Sequence, residues 1–299
     1  MTDAAASPTS PERASVLRRW GQVLRDVMRR PSGAIGVFLV AAHIVLALIS
    51  PLITPYEFSS MDSDIILAPA SAEHWMGTDS LGRDIFSRVL MGGREALLVC
   101  FLAIPLTMIW GGLTGIYLGL RGGWPDEVVM RLVDAFLALP GILPLMVFVV
   151  MFGGGNEVLI PTLAFFFGIP VIRVARAATH DVVARDYVLA ARARGHSRFS
   201  IMWRELLPNT FDVMMVEGAM RLSWMLLTFS SLAFLGFGTN PAIPDWGQMI
   251  SEARVYMSLA PWGVLGPMIA LSSLIIGVNL TADALAKTLG IDRTRKAVV

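Results

Sequence analysis

Apolar residues in this chain gather into six runs, at residues 33–53, 96–120, 132–152, 158–178, 213–236 and 262–285, separated by polar stretches. A helix of about 20 residues crosses the hydrocarbon of a bilayer, and each run reaches that length. Backbone groups in lipid must be satisfied within their own segment, and the ten-residue dyad alternation of a barrel is missing. The pattern therefore predicts an all-α polytopic membrane protein with six transmembrane helices. Ahead of the first run, residues 15–30 set arginines between Val16, Trp20, Val23, Leu24 and Val27 at helical spacing. That spacing predicts a basic amphipathic helix on the membrane surface. Residues 1–13, rich in Ala, Ser, Thr and Pro, predict disorder. The first run starts too late and runs too long for the core of a cleaved signal peptide, and it ends in Ser50-Pro51-Leu52 without a small-x-small site. Asp84, just after Gly82, predicts a further helix start with Ile85, Phe86, Val89 and Leu90 on its apolar side.

The basic residues orient these spans. Nineteen Lys and Arg fall on the side holding both termini and the loop after the fourth run, and four (Arg83, Arg88, Arg94, Arg254) fall on the other side; Arg221 lies within the fifth run. Positive charge marks the cytoplasmic side, so both termini are expected there. The three arginines between Gly82 and Arg94 run against that rule. The expected layout is a cytoplasmic tail at 1–32, a first helix with an external loop at 33–95, a core of five helices at 96–287 with a cytoplasmic loop at 179–210, and a tail at 288–299. Composition agrees with a lipid environment: 55% of residues are apolar and only 16% charged, against about 25% charged in soluble domains. The net charge of +1 gives no sign of a nucleic-acid partner. The single cysteine, Cys100, can form no internal disulfide and reads as a small packing residue.

No catalytic or metal-binding constellation is legible. The chain has no Gly-x4-Gly-Lys-Ser/Thr loop, no Cys-x2-Cys and no His-x3-His, and its four histidines are scattered. His43, in the first run, is expected to be a packed, hydrogen-bonded side chain. The chain is therefore expected not to be an enzyme. Charges inside or beside the runs need partners or a function. Glu217 and Arg221 are spaced to pair on one helix face near the inner end of the fifth run; Asp134 and Asp283 stand near inner ends of the third and sixth. Asp134, Glu217 and Arg221 are the candidates for a solute path or a charge pair. No inverted repeat with matched broken helices is evident, which weighs against an ion-driven carrier, the main alternative from another class.

The most informative stretch is polar and internal. Asp186, Tyr187, Leu189, Ala190 and Ala191 predict a short helix of small residues, Gly195 a sharp turn after it, and Leu207-Pro208 the start of the next segment. Such a segment between apolar spans suits a docking surface. It resembles the coupling loop of ATP-binding-cassette importer permeases. Three further blocks resemble the C-type permease of the dipeptide, oligopeptide and nickel branch in order and spacing. They are Gly77-Thr78-Asp79 with Gly82-Arg83-Asp84; residues 130–134 leading to Pro140; and residues 231–238 with Pro241, Pro244, Trp246, Gly247 and 260–262. The family carries Glu where this chain has Leu189, and Ile where it has Glu205. The resemblance implies a type I importer permease fold in a bacterial inner membrane. It implies a second homologous permease, two ATPase subunits or domains that bind ATP and Mg, and an extracytoplasmic solute-binding protein. The cargo it implies is a peptide, a nickel chelate or a similar small solute.

Overall fold

The computed structural model describes residues 16–238 and 243–291. The expectations for residues 1–13, for Pro241 and for the basic residues Arg293, Arg295 and Lys296 lie outside the described residues. Among those described there is no strand. The helices are α1 (Val16–Met28), α2 (Pro31–Ile53), α3 (Ile85–Arg121), α4 (Trp124–Leu137), α5 (Ile142–Phe152), α6 (Asn156–Val183), α7 (Asp186–Ala193), α8 (Arg198–Ile201), α9 (Leu207–Phe234), α10 (Trp246–Ala253) and α11 (Trp262–Thr288).

Four of these helices, α2, α3, α6 and α11, are long and apolar enough to cross a membrane. The third apolar run predicts one straight span, and here the structure corrects it. The run is split between α4 and α5, which meet at an angle of 89°. The physical cause is Pro140, which has no N–H to donate and pushes Leu139 out of the helical region, with Gly141 beside it. Counted as one broken span, the pair makes a fifth. The run 213–236 forms most of α9, which carries Asp212, Glu217 and Arg221 and is not among the apolar helices.

The second run is longer than expected. Asp84 caps α3 by accepting a hydrogen bond from the Ser87 N–H at 2.7 Å. From there the helix continues unbroken for 37 residues, about 55 Å at 1.5 Å per residue. That is longer than the roughly 30 Å of bilayer hydrocarbon. Its tightest neighbour is α6. A Cβ on Gly115 would lie 2.4 Å from the Ile172 carbonyl oxygen, and one on Gly111 would lie 2.6 Å from that of Gly168. Small residues four apart let two backbones meet where no hydrophobic effect separates helix from lipid. Around this seam Val99, Cys100, Ala103, Leu163, Met225, Leu226, Phe229 and Leu274 form the buried core. Cys100 is thus an apolar packing residue.

The N-terminal helix, expected on the membrane surface, packs on the helical core. Trp20 packs edge-on against Phe211 at 5.7 Å between ring centroids, Arg19 pairs with Asp212 at 2.5 Å, and Val27 is buried. Leu24 stays exposed. Part of the apolar face predicted for lipid is therefore used to dock α1 on the helical core.

Candidate functional site

On the side of α7, the chain builds a small rigid projection. α6 ends at Val183, and α7 follows with Arg185 at its N-cap and Asp186 in its first turn, where a carboxylate favours the positive end of the helix. Val188 and Ala191 are fully buried against Ile116, Leu120, Val182, Ile201 and Leu206. At the other end Gly195 takes φ +81°. Its N–H donates to the Arg192 carbonyl at 2.9 Å, and the His196 N–H donates to the Ala191 carbonyl at 3.2 Å. These two bonds form a Schellman turn, which a left-handed glycine allows. Ala191, expected at the partner surface, instead faces inward. The outward face is Tyr187, Leu189 and Ala190. Nearby, Phe199 is 69% exposed and lies 5.9 Å from Trp203, with exposed Arg185, Arg192, Arg194, Arg198 and Arg204 around them. Leu207 is half-buried and Pro208 exposed at the start of α9. A five-residue π-turn, Met202–Leu206, precedes them and absorbs the hydrogen bond that proline cannot make.

On the side of α10, the segment Gly77 to Asp84 is a knot of hydrogen bonds. Asp79 accepts from the N–H groups of Leu81 at 2.8 Å and Arg83 at 2.9 Å, and from Arg83 Nε at 2.6 Å. Arg83 also pairs with Glu252 at 3.0 Å. Arg88, fully buried, stands 3.7 Å from Asp79 and donates to the Phe58 carbonyl at 3.2 Å. Thr78 is buried and bonded to the Ile65 carbonyl. Asp84 binds His74 at 2.9 Å. A Cβ on Gly82 would fall 1.8 Å from the Asp62 carbonyl oxygen. These residues tie the loop after α2 to α3 and α10. Arg83 and Arg88 are neutralised locally.

Two partners here went unread in the sequence, Glu252 and Asp245. Trp246 packs against Gly92 and Gly93 of α3 and donates from Nε1 to the Val89 carbonyl at 2.9 Å. Asp245 caps α10 by accepting from the N–H groups of Gly247 at 2.8 Å and Gln248 at 3.3 Å. Its second carboxylate oxygen is buried without a partner among the described residues. Burial pushes this carboxyl up to about 7; the two N–H bonds oppose the rise and nearby Glu95 adds to it. The Gly92-Gly93 pair in mid-helix was the one signal for this contact.

The charges beside the apolar runs are paired. Asp134 bonds Arg173, Asp126 holds Arg176 at 2.5 Å, and Asp283 holds Lys287 at 2.8 Å. Glu217 and Arg221 meet at 2.6 Å. They stand about halfway along the 28-residue α9, which begins six residues before the apolar run. Asp134 belongs to a different pair and does not join them. His43 contacts the carbonyls of Leu39 at 2.8 Å and Ala270 at 3.1 Å. No cluster of three metal-ligating side chains occurs among the described residues.

Long apolar helices, and a broken pair beside them, are those of a multi-pass membrane protein. Residues 111–291 match the family described as binding-protein-dependent transport system inner membrane component. The chain belongs to that family, the permease subunits of ATP-binding-cassette importers. It is 33% identical to the glutathione transport system permease protein of Pectobacterium atrosepticum over 92% of both chains. It is 29% identical to the dipeptide transport system permease protein of Alkalihalophilus pseudofirmus, over 97% of this chain and 95% of that one.

Proposed function

We propose that this permease forms half of the path through which an importer carries a small peptide, and that the projection at α7 is where an ATPase grips it. The observation that carries the proposal is the two-sided construction of α7. Val188 and Ala191 root it against α3 and α6, while Tyr187, Leu189 and Ala190 face outward. A push on the outer face is then transmitted to helix ends as a rigid displacement. Counting the broken pair and α9, the chain has six spans with both termini and α7 in the cytoplasm of a bacterial inner membrane. The partners are a second permease, two ATPases that bind ATP and Mg, and an extracytoplasmic binding protein. Closure of the ATPases on ATP moves α7 and switches the cavity between the permeases from inward to outward; hydrolysis resets it. The dipeptide and glutathione permeases similar to this chain support a peptide cargo.

The test is uptake of radiolabelled dialanine by vesicles holding the complete transporter and its binding protein. Accumulation should require ATP and persist with a protonophore. Uptake without ATP that the protonophore abolishes would establish an ion-driven carrier instead.

A further inference from the structure

We infer that the Arg221 guanidinium receives a carboxylate of the transported solute within the chain's own half of the path. This rests on the importer reading above. A cavity of about 380 Å³ opens between the broken α4–α5 pair, α6 and α9, lined in part by Gly141, Phe166, Arg221, Trp224, Thr228 and Ser231. That volume suits a small organic solute. Its wall is mostly apolar, and Arg221 is the cation on it. A charge on an apolar wall is costly unless it is paired.

Pairing with Glu217 does not exhaust Arg221. Only Nε is engaged, at 2.6 Å. Neither terminal nitrogen has a partner among the described residues, and the side chain is 26% exposed. The free edge of a guanidinium is the planar fork that takes a carboxylate through two parallel bonds. Glu217 holds the stem and leaves the site near neutral, which suits a monoanion better than a phosphate dianion. A second feature points the same way. α5 begins at this cavity with Gly141 at its N-cap and no side chain capping it. The start of a broken helix carries partial positive charge toward whatever occupies the cavity.

Arg221→Gln alone would strand Glu217, so the decisive comparison is Glu217→Gln against Glu217→Gln with Arg221→Gln. The two differ only in the guanidinium, which in Glu217→Gln loses its carboxylate partner and keeps only a neutral amide beside it. The readout is dialanine uptake per ATP hydrolysed in vesicles with the complete transporter. The double variant is expected to import about tenfold less than Glu217→Gln, as for one lost charge-assisted contact. Equal uptake by the two variants would overturn the inference and leave the importer reading standing. A wild-type transporter that hydrolyses ATP yet imports no dialanine would remove the peptide reading and this inference with it.

Discussion

Gly195 shows how much one residue decides here. Its φ of +81° places it where a β-branched side chain is strained, although a Cβ would meet no neighbour. Gly195→Val should therefore cost about 1–3 kcal/mol through the backbone alone. It should disturb how the chain leaves α7 while the apolar spans still insert. Uptake per ATP hydrolysed in vesicles checks this; a normal ratio would place the coupling contact elsewhere. Asp245 makes a separate prediction. Its carboxyl is raised from 3.8 to about 7, so between those values the folded protein holds a proton that the unfolded chain has released. Stability should fall as pH rises from about 4 to 7, by on the order of a few kcal/mol, and level off above that. Asp245→Asn should flatten that fall. Thermal unfolding of both proteins at pH 5 and pH 7.5 measures it, and parallel behaviour would contradict it. Gly195 was legible because a glycine after a run of helix formers reads as a stop. Arg88 was not: its partners Asp79 and Glu252 are brought together only by the tertiary fold.

At the scale of elements, hydropathy located the runs but was blind to their bends. Residues 132–152 are apolar but for Asp134, and a cavity opens at the Pro140-Gly141 break. In α3 the apolar run marked only the part in lipid, while the cap at Asp84 marked the true start. Helix α7 is eight residues long, too short for periodicity to show which face is inward. The structure separates adjacent alanines: Ala190 is exposed and Ala191 buried. Ala191→Glu should destabilise the protein, since it buries a charge without a partner. Ala190→Glu should leave the unfolding temperature unchanged and lower ATPase retention during purification. If both variants lose stability equally, α7 does not have the two faces described.

For the whole molecule, the Lys and Arg count predicts an orientation, and Arg83 and Arg88 are internal to a knot that also ties α10 to α3. What no single-chain pattern supplied was the cavity that Arg221 borders. The central claim is that α7 lies in the cytoplasm in the grip of an ATPase. One measurement addresses it most directly. In a Cys100→Ala background, which keeps the buried position apolar, single cysteines are introduced by Ala190→Cys and Ser63→Cys in the assembled transporter. An impermeant thiol reagent added outside cells, followed by a thiol-to-amine cross-linker added to opened membranes, reads orientation and contact together. The expected result is outside labelling of Ser63→Cys alone and cross-linking of Ala190→Cys to the ATPase subunit. Outside labelling of Ala190→Cys, or no ATPase in its cross-linked product, would contradict the account.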